Sequence, residues 1–228
     1  GTDQEYYAEY KKRAWQFLLD LGFKEEHLRF HDHDKLAHYA KAACDIQYDF
    51  PMGWSELNGI HNRTDYDLSR HQEYSGKSMT YVDPVTQERY IPYVIEYSIG
   101  ADRLMLATLS EAYDEETLEN GEVRNVMRFH PAIAAYKAAV LPLQKGLAPQ
   151  AKELLQKLKK RFLVTYDEAG SIGKRYRRQD EIGTPYCLTV DFDTLQDGTV
   201  TVRDRDTMEQ VRMTADEVVA FLTEKCAF

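Results

Sequence analysis

The chain has 228 residues, 43 % of them apolar and 12 % aromatic, and a formal net charge of −9. That length suffices for two modest domains with buried cores, and no run approaches the roughly 18 apolar residues of a membrane span. The acidic balance excludes indiscriminate binding of polyanions and leaves room only for a local basic face.

The N-terminal stretch GTDQEYYAEYKKRAW is charged and has no apolar core of the signal-peptide kind. Over residues 3–21, Tyr7, Tyr10, Ala14, Phe17 and Leu18 recur on one face and predict a helix. A second short helix is expected over 36–43. Around it, RFHDHDKLAHYAKAAC holds His31, His33, His38 and Cys44, but at spacings that match no compact zinc pattern, so polar roles are expected for them. Asp65 and Asp67 offer carboxylates two apart with no calcium loop following. Strands are expected over 46–57 and 90–99. A helix follows over 100–112, with Ala101, Leu104, Met105, Thr108 and Leu109 as its stripe. The segment 114–128 is acidic and weakly periodic, contains Gly121, and marks a domain boundary after residue 127.

Beyond the boundary, strands and helices alternate. Strands are expected over 134–141, 162–166, 186–192, 199–204 and 210–213, and helices over 148–161, 172–182 and 215–225. Thr214 and Glu217 read as a capping box for the last helix. Alternation of this kind predicts an α/β domain with a mixed five-stranded sheet. Two basic stretches, KELLQKLKKRF (152–162) and GKRYRRQ (173–179), could face an RNA backbone or merely be solvated. The three cysteines include no CxxC pair and read as reduced thiols of a cytoplasmic protein.

Three stretches place charge among glycines and aromatics: Glu56 in GWSELNG, Glu96 in VIEYSIG and Arg103 in GADR. A buried carboxylate is costly unless paired or bound to a cation. Glu56 and Glu96 therefore either pair with arginines such as Arg63 or Arg70, or serve a phosphate and a divalent ion. Arg103 is the stranger residue, a cation in the first turn of a helix whose dipole is already positive there. No G-x-S-x-G, Walker A or dinucleotide fingerprint is present.

Together GWSELNGIHNRTDYDLSRH, PYVIEYSIGADRLMLATL and GSIGKRYRRQDEIGTPYCLTVDFD with TVRDRDTMEQVRM resemble glycyl-tRNA synthetase of the homodimeric type, from Gly1 to Phe228. The resemblance implies an α+β portion of a class II catalytic domain over 1–127, an antiparallel sheet with helices. An α/β anticodon-binding domain would follow over 128–228. GADR looks like the third class II motif, so Arg103 would contact the ATP phosphates. Glu56, Leu57, Gly100, Ala101 and Asp102 would complete the ATP site, with Mg2+ on Glu56 and Glu96. Glu96, Tyr97, Ser98, Ile99 and Gly100 would line the glycine pocket, Glu96 and Arg103 being the catalytic pair. The sequence departs from the family at Tyr97, where a proline is expected. Lys174, Arg177, Arg178, Arg203, Asp204 and Arg205 would meet the anticodon, because arginine reads guanine and aspartate accepts from cytosine. A cross-strand ladder of ion pairs is the other reading of those aspartates.

The implied partners are glycine, ATP and tRNA(Gly), with homodimers in the parent protein and neither membrane nor DNA. The other two class II motifs would precede the stretch where the sequence begins, so the chain reads as a C-terminal half that is catalytically incomplete by itself. The alternative is a non-catalytic tRNA-binding or accessory synthetase-like module. Glu56, Glu96, Ser98 and Arg103 favour the ligase, since a binding relic has no use for them.

Overall fold

A computed structural model of the chain describes residues 2–228, and its contacts divide into two units, one ending at Ala107 and one beginning at Thr108. In the first, helix α1 (Asp3–Asp20) buries Tyr7, Ala14 and Leu18 of the expected stripe and leaves Tyr10 and Phe17 largely exposed. Strands β1 (Leu28–Asp32), β2 (Ala42–Phe50) and β3 (Gly53–Asn62) follow, then helix α2 (Tyr66–Ser75) and the two-residue strands β4 (Tyr81–Val82) and β5 (Arg89–Tyr90). Strand β6 (Ile95–Ile99) leads into α3 (Ala101–Ala112). The sheet is antiparallel in the order β1-β2-β3-β6.

One face of this sheet packs Cys44, Ile46, Leu57 and Ile60 against Ala14 and Leu18 of α1. Strand side chains alternate, so the other face carries His31, Asp45, Gly59 and Ser98 in one cross-strand row and His61 opposite Glu96 in the next. A bulge interrupts the register: Ile46 pairs with Asn58 and Gln47 with Glu56, leaving Leu57 as the extra residue.

Several elements differ from expectation. Residues 36–43 form no helix; Ala40 N–H donates to Ala37 O in a turn, and Ala42 already pairs with Asn62. The strand expected over 46–57 is a hairpin that reverses through Pro51 and Met52 into Gly53, whose φ of +104° suits glycine. The strand expected over 90–99 begins only at Ile95, because Pro92 has no N–H for a ladder. Tyr97 continues the ladder opposite Ile60, so the missing family proline leaves β6 intact. On α3 the buried residues are Ala107 and Ala112, while Met105 and Leu109 of the expected stripe stay exposed.

The second unit opens with a hairpin, β7 (Tyr113–Thr117) and β8 (Val123–Met127). It continues through β9 (Ala138–Pro142), α4 (Ala148–Leu158), β10 (Val164–Tyr166), α5 (Ile172–Glu181), β11 (Tyr186–Val190) and the single-turn α6 (Thr194–Asp197). Strands β12 (Thr199–Asp204) and β13 (Gln210–Thr214) and helix α7 (Ala215–Lys225) complete it. The mixed sheet runs β10-β9-β11-β12-β13, with β9 parallel to both its neighbours and the last two pairings antiparallel. Helices α4 and α7 cover one face through Leu154, Leu158, Val218 and Leu222, and α5 covers the other through Ile172 and Tyr176. Strands β9 and β11 are buried throughout, as central parallel strands are. The Thr214–Glu217 capping box forms as expected. The strand expected from 134 starts at Ala138, since Ala134 N–H closes a turn onto His130 O. The unit begins well before residue 128 because β8 sends Arg124, fully buried, onto Asp180 of α5.

Candidate functional site

Strand β6 stops at Ile99, the partner of Asn58, so β3 has no strand beside it on that side toward Glu56. Arg103, in the first turn of α3, fills the gap by donating from Nη1 to the Glu56 carbonyl oxygen at 2.7 Å. The cation at this helix start thus completes a sheet edge. Its side chain is exposed, and its other N–H groups have no partner among the described residues. Gly100, Ala101, Asp102 and the Glu56 side chain are exposed around it. Leu57 is different: its side chain is 1 % exposed in the core, leaving only backbone to offer a nucleotide.

Glu96 and Ser98 share the open sheet face, whereas Tyr97 and Ile99 alternate to the other side, where Ile99 packs on the core. Neither of these side chains belongs to a pocket with Glu96, which corrects their expected place there. Burial pushes the Tyr97 phenol above its ordinary value. Glu96 accepts from Arg63 Nη1 at 2.6 Å and lies 3.6 Å from His61 Nδ1. Arg63 also donates to both carboxylate oxygens of Asp67, at 2.6 and 3.0 Å, and rests on the Tyr39 ring. The pairing considered for Glu96 is therefore made with Arg63, while Arg70 goes to Glu73. Glu56 and Glu96 do not make a common ion site. Their strand positions, opposite Gln47 and opposite His61, are five residues apart on β3, roughly 16 Å at the rise of a strand.

The histidines take polar partners: His33 Nε2 meets Asp45 Oδ2 at 2.8 Å and His38 Nε2 meets Tyr66 Oη at 3.0 Å. Among the described residues no three His, Cys, Asp or Glu side chains could hold a metal. Burial pushes the thiol of Cys44 up to about 11 and that of Cys187 up to about 12, so neither is a ready thiolate. Asp45, only 8 % exposed, escaped the sequence reading because nothing in CDIQYD marks which strand face it takes.

In the second unit the expected RNA-facing residues separate. Asp180, fully buried, accepts from Arg203 at 2.8 and 3.1 Å and from Arg124 at 3.0 Å. Arg203 also lies against the Tyr176 ring. Arg205, 2 % exposed, donates to the carbonyls of Gly183 and Phe129 and to Asp206. Arg203 and Arg205 are thus interior braces and cannot read bases. Asp204 accepts from the backbone of Asp206 and Thr207 and shapes the β12–β13 turn. Arg178 is bound to Asp167 and to the Ala169 carbonyl. Lys174 is exposed on α5, whereas Arg177, about a third exposed, is paired with Glu122 at 3.7 Å.

The second unit is thus a five-stranded mixed sheet between helices, with Lys174 left exposed on α5. Residues 137–225 match the family described as "Anticodon binding domain". The fold is similar to the crystal structure of the RNA-binding domain of threonyl-tRNA synthetase from Cryptosporidium parvum Iowa II. The TM-score is 0.62 at 19 % identity, over 83 % of this chain and 44 % of that one. Sequence goes further. The chain is 60 % identical over 230 aligned positions to a glycine–tRNA ligase of Clostridium kluyveri and 59 % identical to that of Geobacillus kaustophilus, with all of this chain and 50 % of each relative aligned. Over its whole length the chain is similar to glycine–tRNA ligases, and it spans about half the length of the curated relatives it matches. No helix among the described residues is long and apolar enough to cross a membrane.

Proposed function

We propose that this chain is the C-terminal half of an enzyme that activates glycine with ATP and transfers it to tRNA(Gly). The first unit supplies part of a class II catalytic sheet, and the second binds the anticodon stem of the tRNA. The observation that carries this reading is the bond from Arg103 to the Glu56 carbonyl, which unites two motifs that lie far apart in sequence. It leaves a guanidinium exposed beside a carboxylate, Gly100 and the free amides of a helix start, a setting suited to triphosphate oxygens. Glu96 and Ser98, on the open sheet face, belong to the glycine pocket. Magnesium is assigned to the nucleotide, because Glu56 and Glu96 do not converge. Homodimers and a cytoplasmic location go with the family reading.

Identity of 60 % with glycine–tRNA ligases favours the ligase over an accessory module. Glycine-dependent ATP–pyrophosphate exchange tests it. The full-length protein should exchange with glycine and not with alanine, and the 228-residue chain alone should not exchange. Absence of glycine-dependent exchange in the full-length protein would overturn the proposal and support the accessory module.

A further inference from the structure

We infer that Asp45 is a further binding residue of the amino-acid pocket, where its carboxylate takes the ammonium group of a small α-amino acid in the space above Gly59. The inference rests on the placing of Glu96 and Ser98 in that pocket. In the sheet, Asp45 of β2 faces Gly59 of β3, and Gly59 faces Ser98 of β6, so all three lie in one row on the open face. A Cβ built on Gly59 would stand 3.2 Å from Ser98 Oγ, 3.2 Å from His61 Cε1 and 3.7 Å from Asp45 Oδ1. Three polar side chains therefore converge on a space that only a glycine leaves open.

The two carboxylates near that space differ in what they lack. Glu96 is already matched by the Arg63 guanidinium at 2.6 Å. Asp45 is 8 % exposed and accepts only from His33, on Oδ2; its Oδ1 has no partner among the described residues. A carboxylate so far removed from water is stabilised by a charged donor, and an ammonium group with three N–H bonds is such a donor. Ser98 Oγ, on the opposite side of Gly59, can accept a second of those bonds. The ligand class is a primary ammonium on a carbon small enough to sit over a strand backbone.

The test uses glycine-dependent exchange by the full-length protein, with Michaelis constants measured separately for glycine and ATP. Asp45→Asn keeps the shape and removes the charge. It should raise the glycine constant on the order of 10- to 100-fold, the value of a charge-assisted hydrogen bond, with the ATP constant unchanged. Gly59→Ala fills the space while leaving the Asp45 charge in place and should raise the glycine constant in the same selective way. It also carries the test if the asparagine variant does not fold. An unchanged glycine constant in either folded variant overturns the inference, as does an equal rise in both constants, which would make Asp45 a brace of the sheet. If the unsubstituted protein shows no glycine-dependent exchange, the proposed function fails first and Asp45 loses its ligand with it.

Discussion

In the first unit one sheet face rests on α1, while the other keeps Asp45, His61, Glu96 and Ser98, with Arg103 exposed at its edge. In the second unit helices cover both sheet faces, and Arg124, Arg203 and Arg205 are drawn inside, the first two onto Asp180. Similar motifs, an arginine near a glycine or at a strand end, thus do opposite things. Where a face is left uncovered the guanidinium is free for a ligand; where it is covered the same group satisfies buried carbonyls and a carboxylate. Topology, more than residue type, decides which charges can act.

The contrast is open to attack at four points. Asp180→Ala leaves two buried guanidinium groups without their shared carboxylate and should cost about 3–5 kcal/mol in urea unfolding of the chain. A variant as stable as the original would show that the interior arginines do not depend on it. Arg103→Ala should do the reverse. Glycine-dependent exchange by the full-length protein should fall on the order of 10²–10³-fold, while unfolding free energy changes by less than about 1 kcal/mol, since one exposed hydrogen bond is lost.

A third test sharpens the covered unit. Burial raises the Asp191 carboxyl, but bonds from Arg212, Thr194 and Thr201 outweigh it and hold the group at about 2, against an ordinary 3.8. A depressed value stabilises the fold above the unfolded-state titration, and that stability is lost as pH falls from about 4 through 2. The difference in stability between the original chain and Asp191→Asn should therefore shrink by about 2 kcal/mol over that range. A difference independent of pH would mean that the Arg212 contact is not formed in solution. The smallest effect belongs to α5: Lys174→Ala should weaken tRNA binding several-fold and lower the salt slope of the binding constant by about 1. An unaltered slope would remove Lys174 from the RNA face.

The second unit was largely legible because its strands are short apolar runs set off by Gly, Pro and Asp, and because Thr214 and Glu217 announce their helix. The first was harder. CDIQYDF and GWSELNGI look like one long strand until Gly53 turns them, and the extra residue at Leu57 reverses which of its neighbours face the core. The site was half legible. Arg103, Glu56, Glu96 and Ser98 stood out as charge and hydroxyl beside glycines, but period-two alternation, which sends Tyr97 and Ile99 to the other face, needs the register to be fixed first. RDRD misled because sequence gives the sign of a charge and not its depth: Arg203 is 4 % exposed and Asp204 only half-buried. The hairpin at 113–127 stayed hidden because only Arg124 and Val126 of it are buried, and the first is a charge that hydrophobic periodicity does not count.

Arg103 answers to two constraints at once. One prong of its guanidinium closes the end of a strand, and the rest of the fork is turned outward. Lysine has a single ammonium and could meet one demand or the other. Glutamine could keep the bond to Glu56 and lose the charge. A substitution series at this one position would therefore separate architecture from chemistry, and a population of variants selected only for folding should drift there along a different path from one selected for turnover.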